Sequence, residues 1–151
     1  MPSSITTEWL TQALQETEPF GGATITNVGV TDIGEGTGIF GEIAMLSLTF
    51  AEEGTAPTSL VVKMPCIEPE NLMVAQALGI YERELNFFEH IAPSTSLRIP
   101  DCYFSQMGED GRFIILMEDL SDEFSVGDQV LGASNTQVES AITTLAKFHT
   151  E

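Results

Sequence analysis

Residues 33–50 read IGEGTGIFGEIAMLSLTF, and this stretch decides between the folds open to the chain. Its glycines have the spacing GxGxxG, at Gly36, Gly38 and Gly41. The spacing occurs in dinucleotide-binding turns and also in the phosphate loops of kinases. In a dinucleotide-binding fold the glycines open a helix, whereas here they lead into an alternating strand, Ile43–Phe50. A strand, a glycine-rich loop and a second strand are therefore predicted, with an ordinary glycine-rich hairpin as the alternative.

The patterns on both sides of this stretch predict an α+β fold with an antiparallel sheet of about five strands. The strands are expected at residues 24–33, 43–50, 59–65, 99–104 and 112–117. Helices are expected after a cap at Thr6 or Thr7, from about Pro69 to Ile91, and at the end of the chain, where Thr136–Glu139 has capping-box spacing. At 151 residues the chain is long enough for one domain, so residues 1–151 are predicted to form a single unit.

Two charged residues fall at positions that are expected to be apolar. Lys63 interrupts the apolar strand SLVVKMP, residues 59–65, and Glu84 lies three or four residues from the apolar Tyr81 and Phe88 of one helix. An unpaired buried charge is costly, so an ion pair between Lys63 and Glu84 explains both positions. Such a pair holds a lysine against nucleotide phosphates in kinases, but it can also be purely structural.

A third candidate is the segment ILMEDLS, residues 115–121, which passes from an apolar strand into an acidic turn. This pattern is typical of a hinge between two lobes. Backbone groups near Glu118 and Leu120 would then contact an adenine edge, with Met117 behind it. A strand followed by a solvated turn is the simpler interpretation.

The composition excludes several classes of partner. The chain has 5 basic and 23 acidic residues, and the net charge of −18 argues against binding to nucleic acids or anionic membranes. No zinc-type spacing surrounds His90 or His149. The amino terminus has no secretory signal pattern and the two cysteines form no framework, so a cytoplasmic location is expected.

The ordered motifs resemble the aminoglycoside phosphotransferase and choline kinase superfamily, in particular its ecdysteroid-kinase-like branch. They are TTEWL (6–10), IGEGTGIFGEI (33–43), SLVVKMP (59–65), YERELNFF (81–88), IPDCYF (99–104), ILMEDLS (115–121), GDQVLG (127–132) and LAKFHT (145–150). The resemblance implies a protein-kinase-like amino-terminal lobe with an αC-type helix. It also implies a list of ATP-binding residues: Gly36, Thr37, Gly38, Gly41, Lys63, Glu84, Met117, Glu118 and Leu120.

One part of the family pattern is missing. The family carries its catalytic aspartate in a His-Gly-Asp type loop, followed by magnesium ligands, in a carboxy-terminal lobe. Neither His90 nor His149 begins such a loop, so no catalytic residue and no metal ligand is assigned. The chain is expected to be a truncated or partial phosphotransferase without that lobe. ATP would be its ligand, while magnesium and a small-molecule hydroxyl acceptor would bind only in a full-length form.

Three functions remain open on the sequence. The first is the ATP-binding lobe of a kinase that is inactive alone, so that the chain by itself has uncertain enzyme status. The second is a stand-alone module that binds nucleotide or protein, and the third is an acidic interaction protein with a structural Lys63–Glu84 pair. An isolated lobe would also expose apolar surface, and self-association through residues such as Phe148 of the last helix is expected.

Overall fold

The computed structural model describes residues 5–33, 38–128 and 130–150. Its sheet contains five antiparallel strands in the order β1-β2-β3-β5-β4. The strands are β1 (Ile25–Asp32), β2 (Gly41–Phe50), β3 (Ser59–Pro65), β4 (Cys102–Met107) and β5 (Phe113–Glu118). The helices are α1 (Thr7–Leu14), α2 (Pro69–Ala77), α3 (Ile80–Asn86) and α4 (Asn135–Phe148), and a π turn (Phe87–Ile91) and a 3₁₀ turn (Ala92–Ser94) follow α3. The predicted α+β fold is confirmed.

The sheet has a different helix on each of its faces. Alternation along β2 buries Leu46 and Leu48, and the fully buried Leu10 and Leu14 of α1 pack with them in one apolar cluster. The Thr6 hydroxyl caps α1 by accepting from the Trp9 N–H at 3.2 Å. Each buried leucine stabilises the fold by about 1.5–3 kcal/mol relative to an exposed one.

The opposite face of the sheet is covered by α2 and α3. Ala75 of α2 and Tyr81 of α3 pack there with Phe113 and Ile115 of β5 in a second buried cluster. Alternation along β3 sends Leu60 and Val62 to the α1 side, so Lys63 points toward α3. The face that carries Lys63 is therefore the face that carries the helix with Glu84.

The prediction of one continuous helix from Pro69 to Ile91 is wrong. α2 ends at Ala77, and Gly79 takes a left-handed conformation with φ of 61°, from which α3 begins in a new direction. A left-handed glycine ends a helix because it terminates the repeat of hydrogen bonds without a Cβ penalty. Because the backbone turns at Gly79, the side of α3 that carries Tyr81 and Glu84 can face the sheet whatever the direction of α2.

Other predicted boundaries also move, those of β1 and β5 by one residue. β4 begins at Cys102 rather than at Ile99, because Pro100 has no N–H to donate to a strand ladder. β2 begins at Gly41, two residues before the predicted start. The capping box of α4 lies at Ser134 and Gln137 instead of two residues later.

Within the described ranges, no helix combines the length and the apolar character needed to cross a membrane.

The last helix, α4, packs little of its apolar face. No residue of α4 is buried, and Val138, Ile142 and Leu145 are 44%, 61% and 52% exposed. Phe148, the residue expected to be exposed here, is partly covered. The exposed apolar stripe of α4 therefore consists of the three aliphatic residues.

Candidate functional site

The centre of the candidate site is an ion pair between β3 and α3. Lys63 Nζ lies 2.5 Å from Glu84 Oε1, and the two side chains are 26% and 24% exposed. The interpretation of both as buried residues is corrected by these values, because each keeps about a quarter of its surface in contact with solvent. Partial exposure lowers the desolvation cost of the pair and leaves the ammonium accessible to an anionic ligand.

The end of the glycine-rich loop lies against the Lys63 side chain. A Cβ at Gly41 would lie 3.3 Å from Lys63 Cε and 3.2 Å from the Met64 carbonyl oxygen, so any other residue would crowd the lysine. A Cβ at Gly38 would collide with the Gly41 carbonyl oxygen. Glycine at both positions therefore favours the close approach of the loop end to Lys63. Gly36 and Thr37, the other predicted loop residues, lie outside the described residues.

The predicted hinge lies at the end of β5, next to β3. Met117 is partly buried in the cluster under α3 and pairs with Val61 of β3. The Glu118 N–H donates to the Asp101 carbonyl at 2.9 Å, and the Leu120 carbonyl accepts from the N–H groups of Glu123 and Phe124. The Glu118 N–H and the Leu120 carbonyl are therefore both occupied.

Glu118 also makes an ion pair that the sequence did not indicate. Both of its carboxylate oxygens accept from the Arg98 guanidinium, each at 2.8 Å, and one also accepts from the Asp101 N–H. Arg98 contacts Glu123 as well, at 3.2 Å. The arginine thus links the end of β5 to the segment before β4. The only signal in the sequence was that Arg98 is one of five basic residues.

The Arg98 bridge predicts a pH dependence of stability. Hydrogen bonds from Arg98 lower the pKa of Glu118 below its ordinary value of 4.5, against the opposing effect of burial. A lowered folded-state pKa stabilises the fold above the unfolded-state pKa, and this contribution is lost as the pH falls through the folded-state pKa. The free energy of unfolding of the wild type should exceed that of Glu118→Gln near neutral pH, and the difference should shrink below about pH 4.5.

Urea unfolding at a series of pH values measures this difference. Glu109→Gln, at an exposed position in the β4–β5 turn, serves as the control and should show no such convergence with the wild type. A gap between wild type and Glu118→Gln that stays constant on acidification would contradict the prediction.

Sequence reasoning also missed the role of the Tyr81 hydroxyl. It donates to the Phe40 carbonyl at 2.8 Å, and the Cys66 sulfur lies 3.5 Å from its oxygen. Tyr81 was read only as part of an apolar helix face. The available signal was its hydroxyl, since a tyrosine that is 2% exposed needs a hydrogen-bond partner.

The cations are distributed unevenly. Lys63 is paired with Glu84 beside the loop, and Arg98 with Glu118 at the end of β5. Arg98, Arg83, Arg112 and Lys147 are all exposed. In the described part of the chain, no three His, Cys, Asp or Glu side chains are grouped so that they could hold a metal ion. Among the described residues the candidate site therefore has one cation, Lys63, beside the end of the loop, and we assign it no magnesium ligand.

Comparison with known protein families connects this geometry to a class of protein. The model of the ecdysteroid kinase-like family matches residues 37–150. The chain belongs to this family. The match covers β2, β3, the helix with Glu84 and β5, so the resemblance noted from the motifs is confirmed.

The ecdysteroid kinase-like family is one of kinase-like phosphotransferases, and such proteins use ATP with magnesium. No curated protein and no solved structure matches the chain. The family therefore supplies the reaction class, whereas the roles of individual residues rest on the geometry of this chain.

Proposed function

We propose that this chain is an ATP-binding lobe of a phosphotransferase that acts on a small-molecule hydroxyl. The observation that carries the proposal is the contact between Gly41, Lys63 and Glu84. A glycine at which a Cβ would be tightly crowded, a partly exposed lysine and a carboxylate that orients it lie together. This group of residues suits the phosphate end of a nucleotide.

Each residue of the site has a distinct role in this proposal. Lys63 contacts the phosphates, and Glu84 holds the lysine amine in place. The loop from Gly36 to Gly41 covers the phosphates with backbone N–H groups. At the other end, the Glu118 carbonyl and the Leu120 N–H contact the adenine edge, and Met117 lies behind the ring.

We further propose that these 151 residues by themselves do not transfer the phosphoryl group. Transfer needs a residue that accepts the hydroxyl proton and metal ions that neutralise the developing charge. No His-Gly-Asp sequence occurs in the chain. In the proposal a second lobe supplies both functions and the contacts to the acceptor.

The two free cysteines favour a reducing compartment such as the cytoplasm.

Calorimetric titration tests the proposed function. ATP with magnesium should bind more tightly than adenosine, because only ATP reaches Lys63. A parallel assay for transfer from ATP should show no product above background. Equal affinities for ATP and adenosine, or no ATP binding, would contradict the nucleotide site. Phosphorylation of an added hydroxyl acceptor would contradict the proposed lack of activity.

The alternative of a protein-binding module is favoured by one observation, the exposed stripe Val138, Ile142 and Leu145 of α4. We expect copies of the chain to associate through this stripe at high micromolar concentration. The association should increase with salt, because salt screens the repulsion between chains of net charge −18. Sedimentation velocity measures this association. Ile142→Gln should weaken it, whereas Val130→Gln, in the exposed segment before α4, should not.

A further inference from the structure

The Tyr81 hydroxyl lies where three segments of the candidate site meet. It donates to the carbonyl of Phe40, the residue before Gly41 at the end of the glycine-rich loop. The sulfur of Cys66, which directly follows β3 and lies three residues after Lys63, is 3.5 Å from the same hydroxyl. Tyr81 itself lies three residues before Glu84 on α3, and so on the same side of that helix. The Tyr81 hydroxyl oxygen, on the helix that carries Glu84, thus contacts both the end of the glycine-rich loop and the residue after β3.

The tyrosine ring is buried against β5. It is 2% exposed, and its centroid lies 4.4 Å from that of Phe113 in β5. Burial, and next the hydrogen bond with Cys66, raises the pKa of Tyr81 to about 12. The hydroxyl therefore keeps its proton and can donate to the Phe40 carbonyl at every pH where the protein would be assayed.

We propose that Tyr81 is a positioning residue, whose hydroxyl holds the end of the glycine-rich loop in register with the Lys63–Glu84 pair. It does so through the Phe40 carbonyl, since Gly41 follows directly and lies against the lysine side chain. Loss of the hydroxyl leaves the carbonyl without this donor and frees the loop end to move away from Lys63. The contact between Tyr81 and Phe40 is independent of the proposed function. The effect of this contact on ATP affinity rests on the proposed function.

A phenylalanine at this position has no hydroxyl and keeps the ring. Tyr81→Phe therefore removes the hydrogen bond while retaining the packing on Phe113. Tyr103→Phe is a matched control, because Tyr103 is the other tyrosine of the chain and packs against Phe20 on the α1 side of the sheet, away from the loop. Both variants lose one hydroxyl and no charge.

The first measurement uses the chain without nucleotide. Amide hydrogen exchange at the start of β2, residues 41–43, should become about two- to tenfold faster in Tyr81→Phe, the range expected for loss of one hydrogen bond. Exchange there should be unchanged in Tyr103→Phe. Unchanged exchange in Tyr81→Phe would overturn the proposal. An equal acceleration throughout the sheet would also overturn it, because that result means general destabilisation.

The second measurement compares two ligands. Tyr81→Phe should weaken binding of ATP with magnesium by about three- to tenfold and leave adenosine affinity unchanged, because adenosine reaches only the hinge. Equal loss for both ligands would show a merely structural role and overturn the proposal. If the wild type binds no ATP, the proposed function fails, and the exchange measurement still decides whether Tyr81 holds the loop.

Discussion

The substitution Lys63→Ala is expected to weaken ATP binding by about 10- to 100-fold, the loss that corresponds to one charge-assisted hydrogen bond. Lys63 is the basic residue that lies against the glycine-rich loop, with its amine 2.5 Å from Glu84. Alanine removes the cation that the phosphates would contact and leaves the Glu84 carboxylate facing them. Adenosine affinity should change little, because adenosine has no phosphate.

Calorimetric titration with ATP and with adenosine measures both effects. Lys147→Ala is the matched control, since it makes the same change of residue and charge on the exposed side of α4. Its ATP affinity should match that of the wild type. The same loss of affinity in both variants would mean that net charge alone attracts the nucleotide. An unaltered affinity in Lys63→Ala would contradict the assigned role of the lysine.

The substitution Leu46→Ala should have the largest effect on stability. Leu46 is fully buried in β2, and it packs in the cluster that joins α1 to the sheet. Removal of its side chain loses buried apolar surface and leaves a cavity, which together cost about 2–5 kcal/mol. Since small domains are stable by about 5–15 kcal/mol, this loss is a large fraction of the total.

Urea unfolding followed by circular dichroism measures the free energy change. Leu131→Ala provides the control, because Leu131 is 84% exposed and its removal should change the free energy of unfolding by less than about 0.5 kcal/mol. A loss below about 1 kcal/mol in Leu46→Ala would show that the core refills the space or is less tightly packed than the structure indicates.

Local patterns were sufficient for most of the fold. β3 was predicted with its observed bounds, because the apolar run SLVVKMP is closed by a proline. The α+β class and the five strands followed from alternation and from turn residues. The helix after β3 was predicted as one piece because its apolar periodicity runs across Gly79. This was wrong, since Gly79 takes a left-handed conformation that separates α2 from α3.

The candidate site was also only partly predictable from the sequence. Lys63 and Glu84 could be identified because each is a charge at a position that the local pattern marks as apolar. The contacts of Arg98 with Glu118 and of Tyr81 with Phe40 could not, since 20 and 41 residues separate the partners. Neither contact produces a period or a motif along the chain.

The sequence by itself indicated most of the elements of this protein, its family and the charged pair Lys63 and Glu84, because each leaves a local mark in residue type or spacing. Only the tertiary structure decided how those elements meet. The antiparallel pairing of β2 with β3 brings Gly41 against Lys63, and the turn at Gly79 directs Tyr81 and Glu84 toward the loop and the lysine. Such contacts depend on the geometry of several packed elements at once, and that geometry is a property of the folded chain.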